Sequence, residues 1–172
     1  MSKPAQVKPV KLVIGFIFHN EPAFKKTEEI LKKKFGRIDF KSRRMPFDLT
    51  NYYDSEFGPN LSRIFISFHK LINPSSLYNI KSLTNHIETS LSIKGRRLVN
   101  IDPGYLDLAK VILASTKDYC HRVYLNKGIF AEVTLSFREK SFTPNQWSYP
   151  DFKKKEYIDI FNQIRAIYKG QL

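Results

Sequence analysis

The densest run of chemically capable side chains lies at 117–122, where the sequence reads Lys-Asp-Tyr-Cys-His-Arg. An imidazole beside a carboxylate is a common arrangement for general acid–base catalysis. His121 is therefore a candidate proton-transfer group that Asp118 or Asp102 would orient, and a satisfied core histidine is the competing interpretation. Cys120 would point to the opposite face of a strand from His121, which argues against a Cys–His nucleophile pair.

A short turn at 126–128 predicts that this cluster continues into a β-hairpin. A three-residue loop would set Arg122 opposite Glu132, Tyr124 opposite Phe130 and Leu125 opposite Ile129. The Arg122–Glu132 pair is either an exposed cross-strand ion pair of little energetic value or a pair that faces a ligand. The predicted catalytic residues are His121, Asp118 and Glu132.

The tetrapeptide Asp102-Pro103-Gly104-Tyr105 predicts a helix start, with Asp102 as the cap and Pro103 in the first turn. Helix capping without any further role is one interpretation of Asp102. A helix start also exposes unpaired backbone N–H groups, and Gly104 would let a phosphate approach them closely. With the neighbouring polar cluster, this predicts an anion site whose ligand-binding residues are Asp102, Gly104, Tyr105, Lys117, Arg122, Tyr124 and Thr134.

An acidic and aromatic loop at 46–59 offers carboxylates for a metal ion. Magnesium is usually held by one or two carboxylates together with substrate phosphates, so the candidate ligands are Asp48, Asp54 and Glu56. An ordinary surface loop is the competing interpretation. The sequence contains neither a Gly-x-x-x-x-Gly-Lys-Ser/Thr loop nor a Gly-x-Gly-x-x-Gly turn, and its four histidines lack zinc-site spacing.

The elements that must position these residues follow a β-α-β-β-α-β order, then a helix, a β-hairpin and a C-terminal helix. This order predicts an α+β fold of ferredoxin-like type, with two helices on one face of an antiparallel sheet. The alternative is a three-layer α/β mixed sheet, because the first and fourth strands are apolar on both faces. The predicted ranges are 12–18, 23–35, 37–41, 61–71, 77–93, 97–101, 105–116, 121–137 and 157–168.

Length and composition predict a single domain over residues 1–172, with a loose lead-in at 1–9. The single cysteine excludes an intramolecular disulfide and a cysteine-rich zinc site. No apolar run approaches the ~20 residues that span a bilayer, and no secretory pattern is visible, so we expect a cytoplasmic protein. The net charge of +13 is scattered along the chain, so it indicates either an anionic partner or an ordinary solvated, lysine-rich surface.

Three functions compete at this level. The first is binding of a phosphorylated small molecule or nucleotide, with magnesium-assisted turnover left open. The second is an RNA-binding module that uses the basic surface and whose affinity would fall steeply with salt. The third is a non-catalytic adaptor that docks a partner through its aromatic loops, Tyr52-Tyr53 and Trp147–Phe152.

Eight motifs along the chain together resemble the bacterial and archaeal family called domain of unknown function 4416. The resemblance covers about residues 8–168. It implies a shared set of motifs and no particular mechanism, cofactor or substrate. The motifs are Lys-Pro-Val-Lys-Leu at 8–12, the loop at 48–58, Ser67-Phe68, the tetrapeptide at 102–105, Ser-Thr-Lys-Asp at 115–118, His-Arg-Val-Tyr-Leu at 121–125, Ala-Glu-Val-Thr-Leu at 131–135 and Trp-Ser-Tyr-Pro-Asp at 147–151.

Overall fold

The computed structural model describes residue 3, residues 6–48, residue 57 and residues 60–172. This part of the chain forms three α-helices and nine strands. The helices are α1 (Glu21–Phe35), α2 (Leu77–Ser90) and α3 (Lys155–Lys169), and short 3-10 helices precede α2 (Pro74–Ser76) and α3 (Pro150–Lys153). The strands are β1 (Lys11–Phe18), β2 (Ile38–Lys41), β3 (Met45–Pro46), β4 (Ser62–Phe68), β5 (Val99–Leu106), β6 (Lys110–Ser115), β7 (Val123–Asn126), β8 (Ile129–Arg138) and β9 (Ser141–Pro144).

The strands form one antiparallel sheet in the order β2-β4-β1-β5-β6-β8-β7, while β3 pairs with β4 and β9 pairs with β8. The predicted β-α-β-β-α-β unit is confirmed, because β2, β4, β1 and β5 lie side by side in ferredoxin-like order. The alternative with a mixed sheet is wrong, since every pairing in the described residues is antiparallel.

Helices cover both faces of the sheet, which explains why β1 is buried along its whole length. Leu12 and Phe16 pack in one cluster with α1 and α2 side chains, while Val13 packs on the other face with α3 side chains. The predicted Asn20 cap is also present, and its side chain accepts a hydrogen bond from the Ala23 N–H at 2.8 Å. No helix among the described residues has the length and apolar character required to cross a bilayer.

The helix predicted at 105–116 is wrong. This region is a β-hairpin of β5 and β6, joined at Asp107, whose carboxylate accepts hydrogen bonds from the N–H groups of Ala109 and Lys110 at 2.7 and 2.8 Å. An Asp side chain that satisfies its own turn favours a hairpin over a helix. The residues of β6 are apolar on both faces because helices cover both faces, and such a run resembles a buried helix in sequence.

The helix start predicted at Asp102 and the phosphate turn predicted at Gly104 are therefore also wrong. Both residues lie within β5, where Asp102 pairs with Gly15 and Gly104 with Val13. Gly104 is required by a close strand contact, because a Cβ at this position would lie 2.2 Å from the carbonyl oxygen of Ile112.

The sheet opens between β5 and β6 on one side of this contact. β5 pairs with β1 along its whole length but pairs with β6 only from Gly104 to Leu106. Pro103 stands at the point of separation and has no N–H to donate to a neighbouring strand. The residues of β5 before Pro103 therefore border an opening in the sheet, and the candidate site lies there.

Candidate functional site

A cavity of about 640 Å³ occupies the opening between β5 and β6. Its walls come from β5, β6 and α2, from the segment after β6, and from residues 149–152 before α3. Clefts of this size commonly hold small molecules. Among the ionisable and amide groups that line it are Lys81, Glu88, Asn100, Asp102, Arg122 and Glu132.

Side chains of α2 replace the strand partner that β5 lacks. Lys81, Asn85 and Glu88 follow each other at spacings of four and three, so one side of the helix faces the cavity. The Lys81 ammonium donates to the Ile101 carbonyl oxygen at 2.9 Å, and the Glu88 carboxylate accepts from the Ile101 N–H at 2.5 Å. Both backbone groups of Ile101 are thereby satisfied where β6 has moved away.

Glu88 is buried and carries a second contact, a hydrogen bond from Arg97 at 2.9 Å. Its burial raises the pKa of the carboxyl above the usual 4.5, and the nearby Lys81 and Arg97 charges offset only part of this effect. On the α2 side of the cavity, burial therefore disfavours ionisation of Glu88, and the charges of Lys81 and Arg97 stabilise its ionised form.

Glu132 and Arg122 form a second polar cluster, in which both side chains are 1% exposed. Glu132 accepts hydrogen bonds from Arg122 at 2.7 Å and from Thr134 at 3.1 Å, and His121 Nε2 lies 3.1 Å from it. The predicted pair is present and lines the cavity, but it is buried. The predicted pairing of Tyr124 with Phe130 is confirmed, whereas that of Leu125 with Ile129 is wrong, because a bulge sets Asn126 opposite Ile129.

Arg122 uses four hydrogen bonds to hold the site together. In addition to Glu132, it donates to Ser115 Oγ at 2.7 Å, to the Lys117 carbonyl at 3.0 Å and to Tyr149 Oη at 2.8 Å. Burial lowers the pKa of this guanidinium, but the bonds to Glu132 and Tyr149 outweigh that effect and raise it overall. Arg122 thus joins three segments around the cavity.

A third cluster places two carboxylates around Arg63. Asp102 lies 3.1 Å from the Arg63 guanidinium and Asp151 lies 3.9 Å from it. Burial raises the pKa of Asp151, the Arg63 charge lowers it in part, and the neighbouring Asp102 charge raises it further. Each carboxylate of the cavity wall is therefore close to at least one cation.

Two hydrogen-bond donors in the wall have bonding capacity left over. Asn100 is 5% exposed, and its Oδ1 accepts from Arg97 at 3.0 Å. Its Nδ2 has no hydrogen-bond partner among the described residues. The ammonium of Lys81, which is 7% exposed, has one hydrogen bond in the same part of the chain although it carries three donors. Buried polar groups of this kind are rare unless a water or ligand satisfies them.

The structure brings together part of the predicted site. Asp102, Lys117, Arg122 and Glu132 line the cavity, and His121 and Thr134 contact Glu132. Gly104, Tyr105, Tyr124 and Asp118 do not line it; Asp118 and Tyr124 are exposed. His121 contacts Glu132, whereas Asp118 or Asp102 was expected to orient it. The roles of His121, Asp118 and Glu132 in proton transfer stay predictions.

The predicted metal ligands are only partly described. Asp48 is exposed and pairs with Lys154 at 3.0 Å, and this hydrogen bond lowers the pKa of its carboxyl. Asp54 and Glu56 lie outside the described residues. Within the part of the chain that the structure describes, no three His, Cys, Asp or Glu side chains are grouped so that they could hold a metal ion.

Sequence reasoning missed Arg63, Lys81, Glu88, Asn100 and Asp151. A signal existed for α2, because polar residues at 81, 85 and 88 follow helical spacing directly beside the buried positions 80, 84 and 87. A second signal was the alternation of Asn100 and Asp102 around the buried Ile101, which is typical of a strand with one polar face.

Comparison with known proteins places the chain in a family. The family model described as Domain of unknown function (DUF4416) matches residues 8–168, which is nearly the whole of the 172-residue chain. Neither the curated proteins nor the solved structures include a match. The resemblance inferred from the sequence motifs is confirmed, and the chain belongs to the DUF4416 family.

Proposed function

We propose that this protein binds a small phosphate-bearing ligand, of the nucleotide class, in the cavity between β5 and β6. The observation that supports this most is the surplus of donors in the wall: among the described residues, Asn100 Nδ2 lacks a partner and Lys81 has one acceptor for three donors. A phosphate group supplies several strong acceptor oxygens and negative charge, which would satisfy both groups.

The charge arrangement favours an anion over a cation. The carboxylates that line the cavity are Glu88, Asp102, Glu132 and Asp151, and each lies close to a cation of the protein. A cationic ligand would compete with these ion pairs. An anionic ligand can instead use the ammonium and amide donors that the ion pairs leave over.

Aromatic side chains favour a ligand that also carries a planar ring. Tyr119 and Tyr149 line the cavity and are 48% and 43% exposed, whereas Lys81 and Asn100 are buried. The cavity therefore has a buried part rich in donors and an exposed part with two phenol rings. A nucleotide has the matching polarity, with a phosphate at one end and a base that stacks on aromatic faces at the other.

The proposal changes the role predicted for Arg122. Four of its hydrogen bonds are already made within the protein, so it positions Ser115, Lys117 and Tyr149 and is not a primary contact to the anion. Lys81 and Asn100 take that place. Glu132 is similarly engaged, by Arg122, Thr134 and His121, and the proposal concerns binding and needs no proton transfer from it.

Isothermal titration calorimetry and thermal-shift measurements with phosphate, pyrophosphate and nucleoside mono- and triphosphates test the proposal. We expect at least one nucleotide to bind the wild type, and Lys81→Met and Asn100→Leu each to weaken it about tenfold or more, as for the loss of a charged or buried hydrogen bond. Lys25→Met makes the same chemical change on the exposed side of α1 and serves as the control.

Two outcomes would contradict the proposal. One is the absence of binding across the whole panel with folded wild-type protein. The other is binding that Lys81→Met and Asn100→Leu leave at the affinity of the Lys25→Met control, because the ligand would then occupy another part of the surface.

A further inference from the structure

Exposed large hydrophobic side chains are concentrated in two segments that each contribute a residue to the cavity wall. Of the ten large hydrophobic side chains that are exposed in the described residues, six come from two short segments, 119–125 and 147–149. The other four are scattered along the chain. Clustered exposure of this kind marks interaction surfaces. The six residues are Tyr119, Val123, Tyr124, Leu125, Trp147 and Tyr149.

Contacts join the rings of these segments into one cluster. The His121 and Trp147 rings stack, with centroids 5.7 Å apart and planes at 15°, and the Tyr119 ring lies 5.9 Å from His121. Arg122 lies over the Tyr119 ring at 4.6 Å and donates to Tyr149 Oη. We call Tyr119, His121, Trp147 and Tyr149 the ring cluster.

Hydrogen bonds within the protein hold the ring cluster in place. The Trp147 Nε1–H donates to the Val133 carbonyl at 2.9 Å, and His121 is held by Glu132, so the stacked pair is fixed to β8. Trp147 nevertheless remains 44% exposed. Aromatic faces that are fixed and accessible suit base stacking, because little side-chain freedom is lost on binding.

The geometry also links the ring cluster to the cavity. Tyr119 and Tyr149 belong to both, so the ring cluster borders the cavity. Lys117 lines the same opening. The protein as a whole carries a net charge of +13, which favours a polyanion over a neutral polymer such as a sugar chain.

We propose that the cavity receives the phosphorylated end of a single-stranded nucleic acid, and that the bases next to that end stack on the ring cluster. This proposal rests on the proposed function, since the terminal phosphate is the phosphate-bearing group that Lys81 and Asn100 bind. It adds the identity of the rest of the ligand. Stacking on aromatic rings tolerates any base, so recognition depends on the strand end and on single-strandedness.

Trp147 is the only tryptophan of the chain, so its fluorescence reports base stacking directly. The probes are decamers of deoxythymidine and of uridine, each with a 5′-phosphate, a 3′-phosphate or hydroxyl groups at both ends. We expect saturable quenching, and at least tenfold tighter binding of one phosphorylated form than of the unphosphorylated decamer. Comparison of the deoxythymidine and uridine decamers shows whether the terminal phosphate comes from DNA or from RNA.

Variants test the two parts of the ligand separately, with fluorescence anisotropy of labelled decamers as the measurement. Trp147→Leu should weaken decamer binding about tenfold, in line with the loss of one stacked base, and Trp147→Phe should recover most of it. Trp147 does not line the cavity, so mononucleotide affinity should be unchanged in both variants. Lys81→Met should weaken both kinds of ligand.

Failure of this proposal can be told apart from failure of the proposed function. Mononucleotides that bind while phosphorylated decamers bind no tighter, and leave tryptophan fluorescence unchanged, would overturn only the nucleic-acid proposal. Absence of binding by mononucleotides and decamers alike would overturn both. Decamers that bind equally with and without a terminal phosphate, or a decamer of glutamate that quenches Trp147 to the same extent, would also overturn it.

Discussion

Two buried lysines of this protein have opposite surroundings. Lys11, at the start of β1, is fully buried, and its ammonium donates to the Asp39 carboxylate at 2.5 Å, to the Phe68 carbonyl at 3.2 Å and to Gln171 Oε1. Lys81, on α2, is almost as buried, but it has one acceptor among the described residues and lines a cavity.

The comparison distinguishes a buried cluster whose polar groups all have partners from one whose donors outnumber their acceptors among the described residues. The Lys11 cluster is complete, since Asp39 also accepts from Ser67 at 2.6 Å and Gln171 donates to the His69 carbonyl at 2.8 Å. It ties β1, β2 and the C-terminus together. Burial of a charge alone therefore says little about function, and the number of donors left without a partner is the more informative quantity.

The largest expected effect is a loss of protein stability when the Lys11 cluster is broken. Lys11→Met removes the counter-charge of Asp39, whose side chain is 9% exposed, and leaves a buried carboxylate with fewer donors. Breaking a buried ion pair in this way typically costs about 3–5 kcal/mol in the free energy of unfolding. Urea denaturation followed by circular dichroism measures the loss.

Lys8→Met serves as the control, because Lys8 is exposed and three residues away. In the absence of urea, where Lys11→Met is folded, its nucleotide affinity should equal that of the wild type. A loss of less than about 1 kcal/mol, typical of a surface pair, would contradict the structural role assigned to Lys11.

Lys81→Met should show the reverse pattern, with a smaller loss of stability and a larger loss of binding. The variant leaves the Ile101 carbonyl without its donor, which costs about 1–2 kcal/mol, but it also removes a buried ammonium that has one hydrogen-bond acceptor among the described residues. The same urea titration measures the first quantity and calorimetry with the nucleotide measures the second. Equal losses of stability in Lys11→Met and Lys81→Met would remove the distinction between the two clusters.

The fold could be predicted from local patterns wherever periodicity and turn residues agreed. Asn20 and Pro22 mark the start of α1, and the spacing of apolar residues in α2 matches its buried face. The hairpin of β5 and β6 could not be predicted in this way. Its strands are buried on both faces, and the turn at Asp107 has no glycine, so an apolar run was interpreted as a helix.

The contact between Arg122 and Glu132 could be predicted because one hairpin supplies both residues. Arg122 directly precedes β7 and Glu132 lies on its partner β8, so the hairpin brings them together. Lys81 and Asn100 line one cavity because β5 pairs with β6 only from Gly104 onwards, and the separation of the two strands before Gly104 depends on tertiary packing. No local pattern in the sequence predicts that β5 pairs with β6 over only part of its length.

The smallest expected effect is a change in how stability depends on pH. Burial raises the pKa of the Glu88 carboxyl above 4.5, so the folded protein binds this proton more tightly than the unfolded chain does. The contribution of this group to stability is complete below pH 4.5 and is lost as the pH rises through the folded-state pKa.

Glu88→Gln removes this titration and keeps an acceptor oxygen for the Ile101 N–H. The free energy of unfolding should therefore decline less between pH 4.5 and 7 in the variant than in the wild type. Some decline should remain, because burial also raises the pKa of Asp151. Urea titrations across this range test the expectation, with Glu139→Gln, at the exposed turn between β8 and β9, as the control. If the free energy of unfolding changed with pH to the same extent in the wild type and in Glu88→Gln, the expectation would be contradicted. The Glu88 carboxyl would then be hydrated through the cavity as fully as a surface carboxyl.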